Sequence, residues 1–377
     1  MENKLRDRIV RNLAEIEANG LMRRLSSPRG IDFSSNDFLC LARDERIKAA
    51  IGKAVEREGV GSTGSRLLCG ERDCFARVEK QFADFKKTSH ALYFNTGYQA
   101  NIGLLTAFLE DGDTVFSDEF NHASLIDGIR LSKAKRVIFH HRSVDEIAKL
   151  LREEKTGGQK FLVTESLFSM DGTIAPLDKY AGICRETGAN LIVDEAHAVG
   201  VFGARGSGLI ERFGVESEVF LSMNTAGKAL GASGAFVAGD AWAIEYLVQK
   251  ARSFIFSTAP LPAIADALKT AIEIVREENQ RREKLLNLSE FFRQLLNENG
   301  IKVSFENSQI VPIVIGESKK AVKIAAALQT RGFDVRAVRP PTVPANTARL
   351  RVSLNVGLTE EILRQFVDNL TRVISEN

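Results

Sequence analysis

The sequence predicts an α/β protein: a large, mainly parallel sheet covered by helices on both faces, followed by a smaller C-terminal α+β domain. Short apolar runs alternate with helical stretches between 91 and 222, several of these runs are apolar at every position, and the chain changes character after Pro262. Alternation of strand and helix marks βαβ construction. Strands without a polar face belong in a sheet buried on both sides. The expected organisation is an N-terminal helix and extended segment over 1–45, a large domain over 46–262 and a small domain over 263–377.

Leu5, Ile9, Leu13 and Ile16 recur at helical spacing, so the chain opens with an amphipathic helix. Residues 32–41 (DFSSNDFLCL) are expected to form a short extended segment and a turn, and 44–59 a helix. The run GSTGSR over 61–66 is rich in glycine and hydroxyls and must be loop. Strands are expected at 91–94, 114–117, 137–139, 161–164 and 191–194, with a weaker one at 218–222. A helix runs from Tyr98 to about Phe108 after the first strand; another follows the third, with Ser143 and Glu146 at capping-box spacing. Beyond Pro262 the stretch 263–299 is long, helical and charged. Strands at 301–305, 310–315, 334–338 and 350–354 and helices at 319–331 and 359–374 complete the chain.

With 377 residues, 44% of them hydrophobic, the chain can bury a large core. Its 51 basic and 49 acidic side chains leave a net charge of +2, which gives no electrostatic case for nucleic acid or a membrane surface. Cys40, Cys69, Cys74 and Cys184 show no CxxC spacing and no metal-ligand rhythm with the five histidines, so reduced thiols and no metal are expected. Residues 1–20 are charged and lack the apolar core of a secretion signal, and no apolar run is long enough to span a bilayer. A cytoplasmic protein is expected.

The chemistry begins at ANLIVDEAHA (189–198), where an apolar strand runs into Asp194 with His197 on the following turn. In a parallel sheet the carboxyl ends of the strands face the ligand crevice. Alone, Asp194 could equally be a helix N-cap. One helix and one strand later stands LSMNTAGKALG (221–231), with Lys228 among glycines and hydroxyls. A lysine and a carboxylate in this order suit pyridoxal 5'-phosphate (PLP): the lysine carries the cofactor as a Schiff base, and the carboxylate keeps the pyridine nitrogen protonated. NTGYQAN (95–101) joins a strand to a helix and offers the Gly97 and Tyr98 N–H groups to a phosphate. FNHAS (120–124) brings His122 to the same crevice, where an imidazole could stack on the ring. Each signal is common in α/β proteins; their order together points to PLP.

From residue 32 to its end the chain resembles the α-oxoamine synthases, a fold-type I family of PLP-dependent transferases. The segments that carry the resemblance are SSNDFLCL (34–41), GSTGSRLLCG (61–70), SDEFNHASLIDGIRLSKA (117–134), TESLFSMDG (164–172), DEAHAVGVFG (194–203), FIFSTAPLP (254–262) and RPPTVP (339–344). The resemblance implies Lys228 as the Schiff-base lysine, Asp194 on the pyridine nitrogen, His197 on the phenolic oxygen and His122 on the ring face. It implies Gly97, Tyr98 and Thr225 at the phosphate, Ser169 near the ring's oxygen side, and Thr258 reaching the phosphate from a second subunit. Asn36, Arg339 and Arg351 would meet substrate carboxylates, Thr342 would line the acyl channel, and Arg23 would touch substrate. Arg339 precedes Pro340 and Pro341, which stiffen the backbone and suit a fixed guanidinium.

The activity implied is a decarboxylative Claisen condensation of an amino acid with an acyl thioester: L-alanine with a pimeloyl thioester carried by coenzyme A or acyl carrier protein, in a homodimer. Sister activities that take glycine or serine are 2-amino-3-ketobutyrate ligase (glycine C-acetyltransferase), 5-aminolevulinate synthase and serine palmitoyltransferase. A dinucleotide-binding protein is the rival of another class, and no GxGxxG follows the first strand to support it. The chain departs from the family pattern at Ala226, where Leu or Phe is common, at NVGL (355–358), where an Ala-His pair is common, and at Cys40, where glycine is common.

Overall fold

In this computed structural model, which describes residues 4–376, the chain opens with α1 (Lys4–Ala18) and the short strand β1 (Ile31–Asp32). Then come α2 (Glu45–Glu58), α3 (Asp73–Lys86), β2 (His90–Phe94), α4 (Gly97–Phe108), β3 (Thr114–Asp118), α5 (Ala123–Leu131), β4 (Lys135–Phe139) and α6 (Val144–Glu153). Next are β5 (Lys160–Glu165), α7 (Leu177–Thr187), β6 (Asn190–Asp194), α8 (Leu209–Phe213), β7 (Val219–Thr225), β8 (Ala235–Gly239), α9 (Ala241–Lys250) and α10 (Arg252–Ile255). The last part holds α11 (Pro262–Glu277), α12 (Asn279–Glu298), β9 (Ile310–Gly316), α13 (Ser318–Thr330), β10 (Phe333–Asp334), β11 (Ala337–Val338), β12 (Ala348–Ser353) and α14 (Glu360–Ser375).

The chain divides into two compact units. The larger comprises Asp37–Ser169 and Thr173–Glu283; the smaller comprises the residues through Asn36, Met170–Gly172 and those from Lys284 onward. The large unit holds a seven-stranded sheet in the order β2-β8-β7-β6-β5-β3-β4. Strands β7, β6, β5, β3 and β4 pair in parallel, and β8 runs antiparallel to both of its neighbours. Strand β8 is absent from the sequence reading. It follows β7 with no helix between, outside the βαβ rhythm, and every one of its residues is buried. Its side chains alternate between two packed faces. Phe236 stacks on Phe82 of α3 at 4.1 Å, while Ala235 and Val237 join a cluster with Leu104 and Leu105 of α4, Leu125 of α5 and Leu247 of α9. Because β3 lies between β5 and β4, the winding of the sheet reverses there, which opens a crevice at the carboxyl ends of the strands.

Several expectations need correction. The stretch 263–299 is two helices, broken at Glu278. Helix α11 packs on α2 and α3 and so belongs to the large unit, which moves the division from Pro262 to Glu283. The residues through Asn36 belong with the C-terminal elements rather than forming a piece of their own. Strand β1 pairs in parallel with β10, Ile31 opposite Phe333, and Phe33 stacks on Phe366 of α14 at 4.4 Å. Segment 301–305 is not a strand, and its Phe305 is exposed. Segment 334–338 divides between β10 and β11, and β11 joins β12 and β9 in a three-stranded antiparallel sheet. The capping box at α6 does not form: the Ser143 side chain caps nothing, and the Glu146 carboxylate accepts from the backbone N–H of His140 at 2.9 Å. No helix among the described residues is long and apolar enough to cross a membrane. No cluster able to hold a metal ion occurs among the described residues.

A buried ion pair braces the turn that follows β6. Lys86, the last residue of α3, donates through Nζ to the Glu195 carboxylate and to the Ser207 carbonyl at 2.6 Å. The other Glu195 oxygen accepts from the N–H groups of Leu209 and Ile210 at 2.6 and 3.0 Å, where α8 begins. Both side chains are almost wholly removed from solvent. Removing one member strands a charge away from water, so Lys86→Met is expected to destabilise the protein by about 3–5 kcal/mol. Urea unfolding checks this, and an unchanged midpoint would show that the pair is dispensable. Cys40 offers a change of the opposite sign. Its φ of 55° lies in the left-handed region, which costs a side-chain-bearing residue about 1–2 kcal/mol. Set against about 0.5–1 kcal/mol of extra chain entropy for glycine, Cys40→Gly should raise the Tm slightly in thermal unfolding; a lower Tm would mean that the thiol's own contacts outweigh the backbone relief.

Candidate active site

The site in the large unit begins where β6 ends. The β6 residues Leu191 to Asp194 are buried, and past Asp194 the backbone turns so that the Ala196 N–H donates to Asp194 Oδ1 at 2.8 Å. That turn carries His197, which is buried. The adjacent parallel strand β7 ends at Thr225, and the chain returns to β8 through a loop closed by bonds from Ala226 N to Gly234 O and from Gly231 N to Lys228 O, both 2.8 Å. This return places Lys228 Nζ 2.9 Å from His197 Nε2, within hydrogen-bond distance.

A helix end lies beside this turn. Thr96 caps α4: its Oγ1 accepts from Gln99 N at 3.2 Å and its carbonyl from Ala100 N at 3.0 Å. The N–H groups of Gly97 and Tyr98 thus remain as the outward donors of the helix. A Cβ on Gly97 would lie 2.6 Å from Cγ2 of Thr225, so only glycine lets the helix end come this close to β7. Thr225 Oγ1 in turn donates to the Ala196 carbonyl at 3.0 Å. Free N–H donors at a helix N-terminus beside a hydroxyl form a cradle suited to a phosphate.

His122 follows β3 at the start of α5 and acts as that helix's N-cap through its own ring: Nδ1 accepts from Ser124 N at 3.2 Å and lies 2.8 Å from Ser124 Oγ. The Tyr98 ring meets it edge-on at 6.4 Å, and the Tyr98 hydroxyl donates to the Asp127 carboxylate. Burial pulls the His122 imidazole below the usual histidine range, Asp194 opposes this, and Lys228 adds to it. Three polar residues outside the sequence reading complete the surroundings. Asn101 Nδ2 donates to Asp194 Oδ2 at 2.8 Å and to Ser124 Oγ at 2.9 Å. Glu165, the register partner of Asp194 at the end of β5, is held well above the carboxylate range by burial and by the Asp194 charge. A sequence signal for Asn101 exists: it lies one helical turn beyond Gly97 and therefore on the same face of α4.

Lys228, Asp194, His197, His122, Gly97, Tyr98 and Thr225 are thus brought together by direct contact or through a shared neighbour. A buried carboxylate with room for a further donor, an amine, and an anion cradle fit the ring nitrogen, aldehyde and phosphate of PLP. Ser169 stands in the tight turn closed by Phe168 N to Thr173 O at 2.9 Å. Thr258 is exposed on a segment bridged to Ser65, and its carbonyl accepts from Asn95 Nδ2 at 2.8 Å.

The remaining candidates lie in the small unit. Arg351 on β12 is buried, and desolvation brings its guanidinium down to about 10. Its Nη1 donates to Ser353 Oγ at 2.7 Å and its Nη2 to Asn36 Oδ1 at 3.0 Å, so two of the expected carboxylate binders touch. Arg339 donates to the carbonyls of Gly20 and Met22 at 2.6 and 3.4 Å, Arg23 reaches the Pro340 carbonyl at 3.5 Å, and Thr342 N closes a turn on the Arg339 carbonyl at 3.1 Å. Burial, and then Arg23, lowers the Arg339 guanidinium.

Comparison with known proteins shows the family and the fold. Residues 28–370 match the family described as aminotransferase class I and II. An 8-amino-7-oxononanoate synthase from Lysinibacillus sphaericus is 38% identical over 385 residues, which cover 99% of this chain and 99% of that protein. The solved serine palmitoyltransferase from S. paucimobilis, with a PLP–myriocin aldimine bound, has a TM-score of 0.91 at 28% identity over 98% of this chain and 97% of its own. The 8-amino-7-oxononanoate synthase structure from Francisella tularensis has a TM-score of 0.81 at 30% identity, covering 92% of this chain and 98% of its own. The chain belongs to the class I and II aminotransferase family and, within it, to the α-oxoamine synthases.

Proposed function

We propose that the chain condenses L-alanine with a pimeloyl thioester, releasing carbon dioxide and the free thiol carrier and giving 8-amino-7-oxononanoate, a step of biotin biosynthesis. The observation that carries this reading is the approach of Lys228 to the turn from Asp194 to His197, beside a glycine-opened helix end, in a chain similar along its length to 8-amino-7-oxononanoate synthases. Pyridoxal 5'-phosphate supplies a ring that takes up the electron pair left at the amino acid's α-carbon. Lys228 is assigned to its carbonyl carbon, Asp194 to its ring nitrogen, His197 and Ser169 to its phenolic oxygen, and His122 to its ring face. Gly97, Tyr98 and Thr225 are assigned to its phosphate, with Thr258 reaching the phosphate from a second subunit.

The protein's own groups then have distinct tasks. Each Asp194 oxygen already accepts one protein donor, and an ionised carboxylate accepts about four hydrogen bonds in all. Asp194 can therefore hold a proton on a nitrogen that faces it, and its burial keeps water from competing. Lys228 Nζ takes the α-proton and later returns one to the product. Its bond to His197 Nε2 steers the amine. Arg351, braced by Asn36 and Ser353, is assigned to a substrate carboxylate. Arg339 with Arg23 is assigned to the distal carboxylate of the acyl chain, and Thr342 to the chain itself. A guanidinium suits such a task because its donors match a carboxylate's two oxygens.

Purified protein given PLP, L-alanine and pimeloyl-CoA, or the same acyl group on acyl carrier protein, should form 8-amino-7-oxononanoate, detected by mass spectrometry. Glycine should be poorer by about tenfold or more, the usual worth of one buried methyl group. A clear preference for L-serine with palmitoyl-CoA would sink this reading in favour of a sister synthase. Lys228→Ala should lose both turnover and the visible band of bound cofactor. We also assign a homodimer working in the cytoplasm. The dimer is supported by apolar Val60, Leu68 and Phe256, which are 81%, 83% and 71% exposed in the single chain. Sedimentation should give twice the chain mass, and a monomer that turns over at full rate would refute the shared site; cell fractionation checks the compartment.

A further inference from the structure

We infer that Asn101 and Ser124 are positioning residues of the reaction, forming a buried relay that ties the His122 imidazole to the Asp194 carboxylate and fixes which ring nitrogen of His122 carries its proton. The inference rests on the proposed PLP chemistry, since it concerns the two groups assigned to the ring face and the ring nitrogen.

The direction of each bond follows from donor chemistry. Asp194 accepts only, so the Asn101 amide must turn its Nδ2 toward Asp194 Oδ2, 2.8 Å away. The reverse orientation would set the amide oxygen against a carboxylate. The second Nδ2 hydrogen points at Ser124 Oγ, 2.9 Å away. Having accepted there, the hydroxyl is free to donate its own proton to His122 Nδ1 at 2.8 Å. A second donor, the backbone N–H of Ser124, also points at Nδ1 from 3.2 Å. The backbone N–H can only donate, so it requires Nδ1 to present its lone pair, and the rotatable hydroxyl then turns its hydrogen to the same atom. His122 is therefore neutral with its proton on Nε2, because protonating Nδ1 would set N–H against N–H. Asn101 and Ser124 are both fully buried, so water cannot substitute for either link.

The charged and titratable neighbours act on the ring from several elements. Burial disfavours the imidazolium, Asp194 on β6 favours it, Lys228 on the β7–β8 loop disfavours it, and Asp127 on α5 favours it. Glu165 on β5 is the register partner of Asp194, and Tyr98 on α4 meets the ring edge-on. Among these the Ser124 hydroxyl is the group that reads the tautomer directly.

The test uses nitrogen-15 spectra of the histidine-labelled holoenzyme, with His122→Asn to identify one signal among five histidines. At neutral pH the His122 signal should be that of a neutral ring with Nδ1 unprotonated. An imidazolium, or an Nδ1–H tautomer, overturns the inference, and of the variants only His122→Asn, used for assignment, has to fold. In Ser124→Ala one donor to Nδ1 is lost, so His122 should protonate at higher pH than in the wild type. The acid limb of kcat/KM should then move to higher pH, because the neutral ring is lost earlier as pH falls. A merely structural role would lower activity without moving that limb. Asn101→Leu should weaken PLP binding about tenfold, the usual worth of one bond to a charged acceptor, read as a dissociation constant from the cofactor's absorbance; an unchanged constant removes Asn101 from the relay. Spectra and cofactor binding need neither L-alanine nor a thioester, so a failed product assay with a confirmed tautomer would indict the substrate assignment alone.

Discussion

The parallel pairing of β6 with β7 is the constraint on which the site depends. Asp194 lies opposite Met223, and the ladder continues one residue further, with Glu195 N donating to the Met223 carbonyl at 2.7 Å. Adjacent parallel strands release their loops at the same edge of the sheet. One loop carries His197, and the other carries Lys228. The antiparallel strand β8 then closes the second loop into a short return, so Lys228 is held by backbone bonds at both ends of that return. A helical crossover in its place would have carried the chain away from the crevice. The amine therefore meets the imidazole through the sheet rather than through side-chain flexibility.

The two acidic residues of the turn after β6 are matched to donors. The Lys86–Glu195 pair holds the turn from behind, while Asp194 is held from the front by Ala196 and Asn101. Each buried carboxylate would cost several kcal/mol if left without partners. Here the partners come from different elements: α3, α4 and the residues opening α8. The turn is over-determined as a result, and a rigid frame of this kind is what a site needs to hold reacting groups in one geometry.

How much of this was legible in the sequence depends on what each residue does. Asp194, His197 and Lys228 were legible because their chemistry is in their type and their order along the chain. Gly97 was legible because a close approach demands glycine. Ser124 and Glu165 were not, since each acts on another side chain and nothing local distinguishes it from an ordinary helix or strand residue; Asn101 left only its spacing, one helical turn beyond Gly97. The same limit appears in the fold. Strands in the βαβ rhythm were found, whereas β8 lies outside it. A strand was expected at 301–305, but that segment takes no place in any ladder. The parallel pairing of β1 with β10 joins positions three hundred residues apart, beyond the reach of any local pattern. Every residue of β12 is buried, Arg351 among them.

The division of charge between Asp194 and Glu165 follows from the same accounting. As register partners on adjacent parallel strands, the two carboxyl groups sit side by side on one face. Like charges this close in a buried site cannot both persist, so one group must keep its proton. The surrounding donors choose between them. Asp194 receives a backbone N–H and an amide N–H, one on each oxygen. Glu165 has no such pair of donors: its buried Oε1 has no hydrogen-bond partner. Glu165, with fewer donors, is held toward its neutral form by burial and by its neighbour Asp194. Were the donors exchanged, the negative charge would shift to β5, away from the turn that carries His197, and the amine on the neighbouring loop would face an uncharged acid.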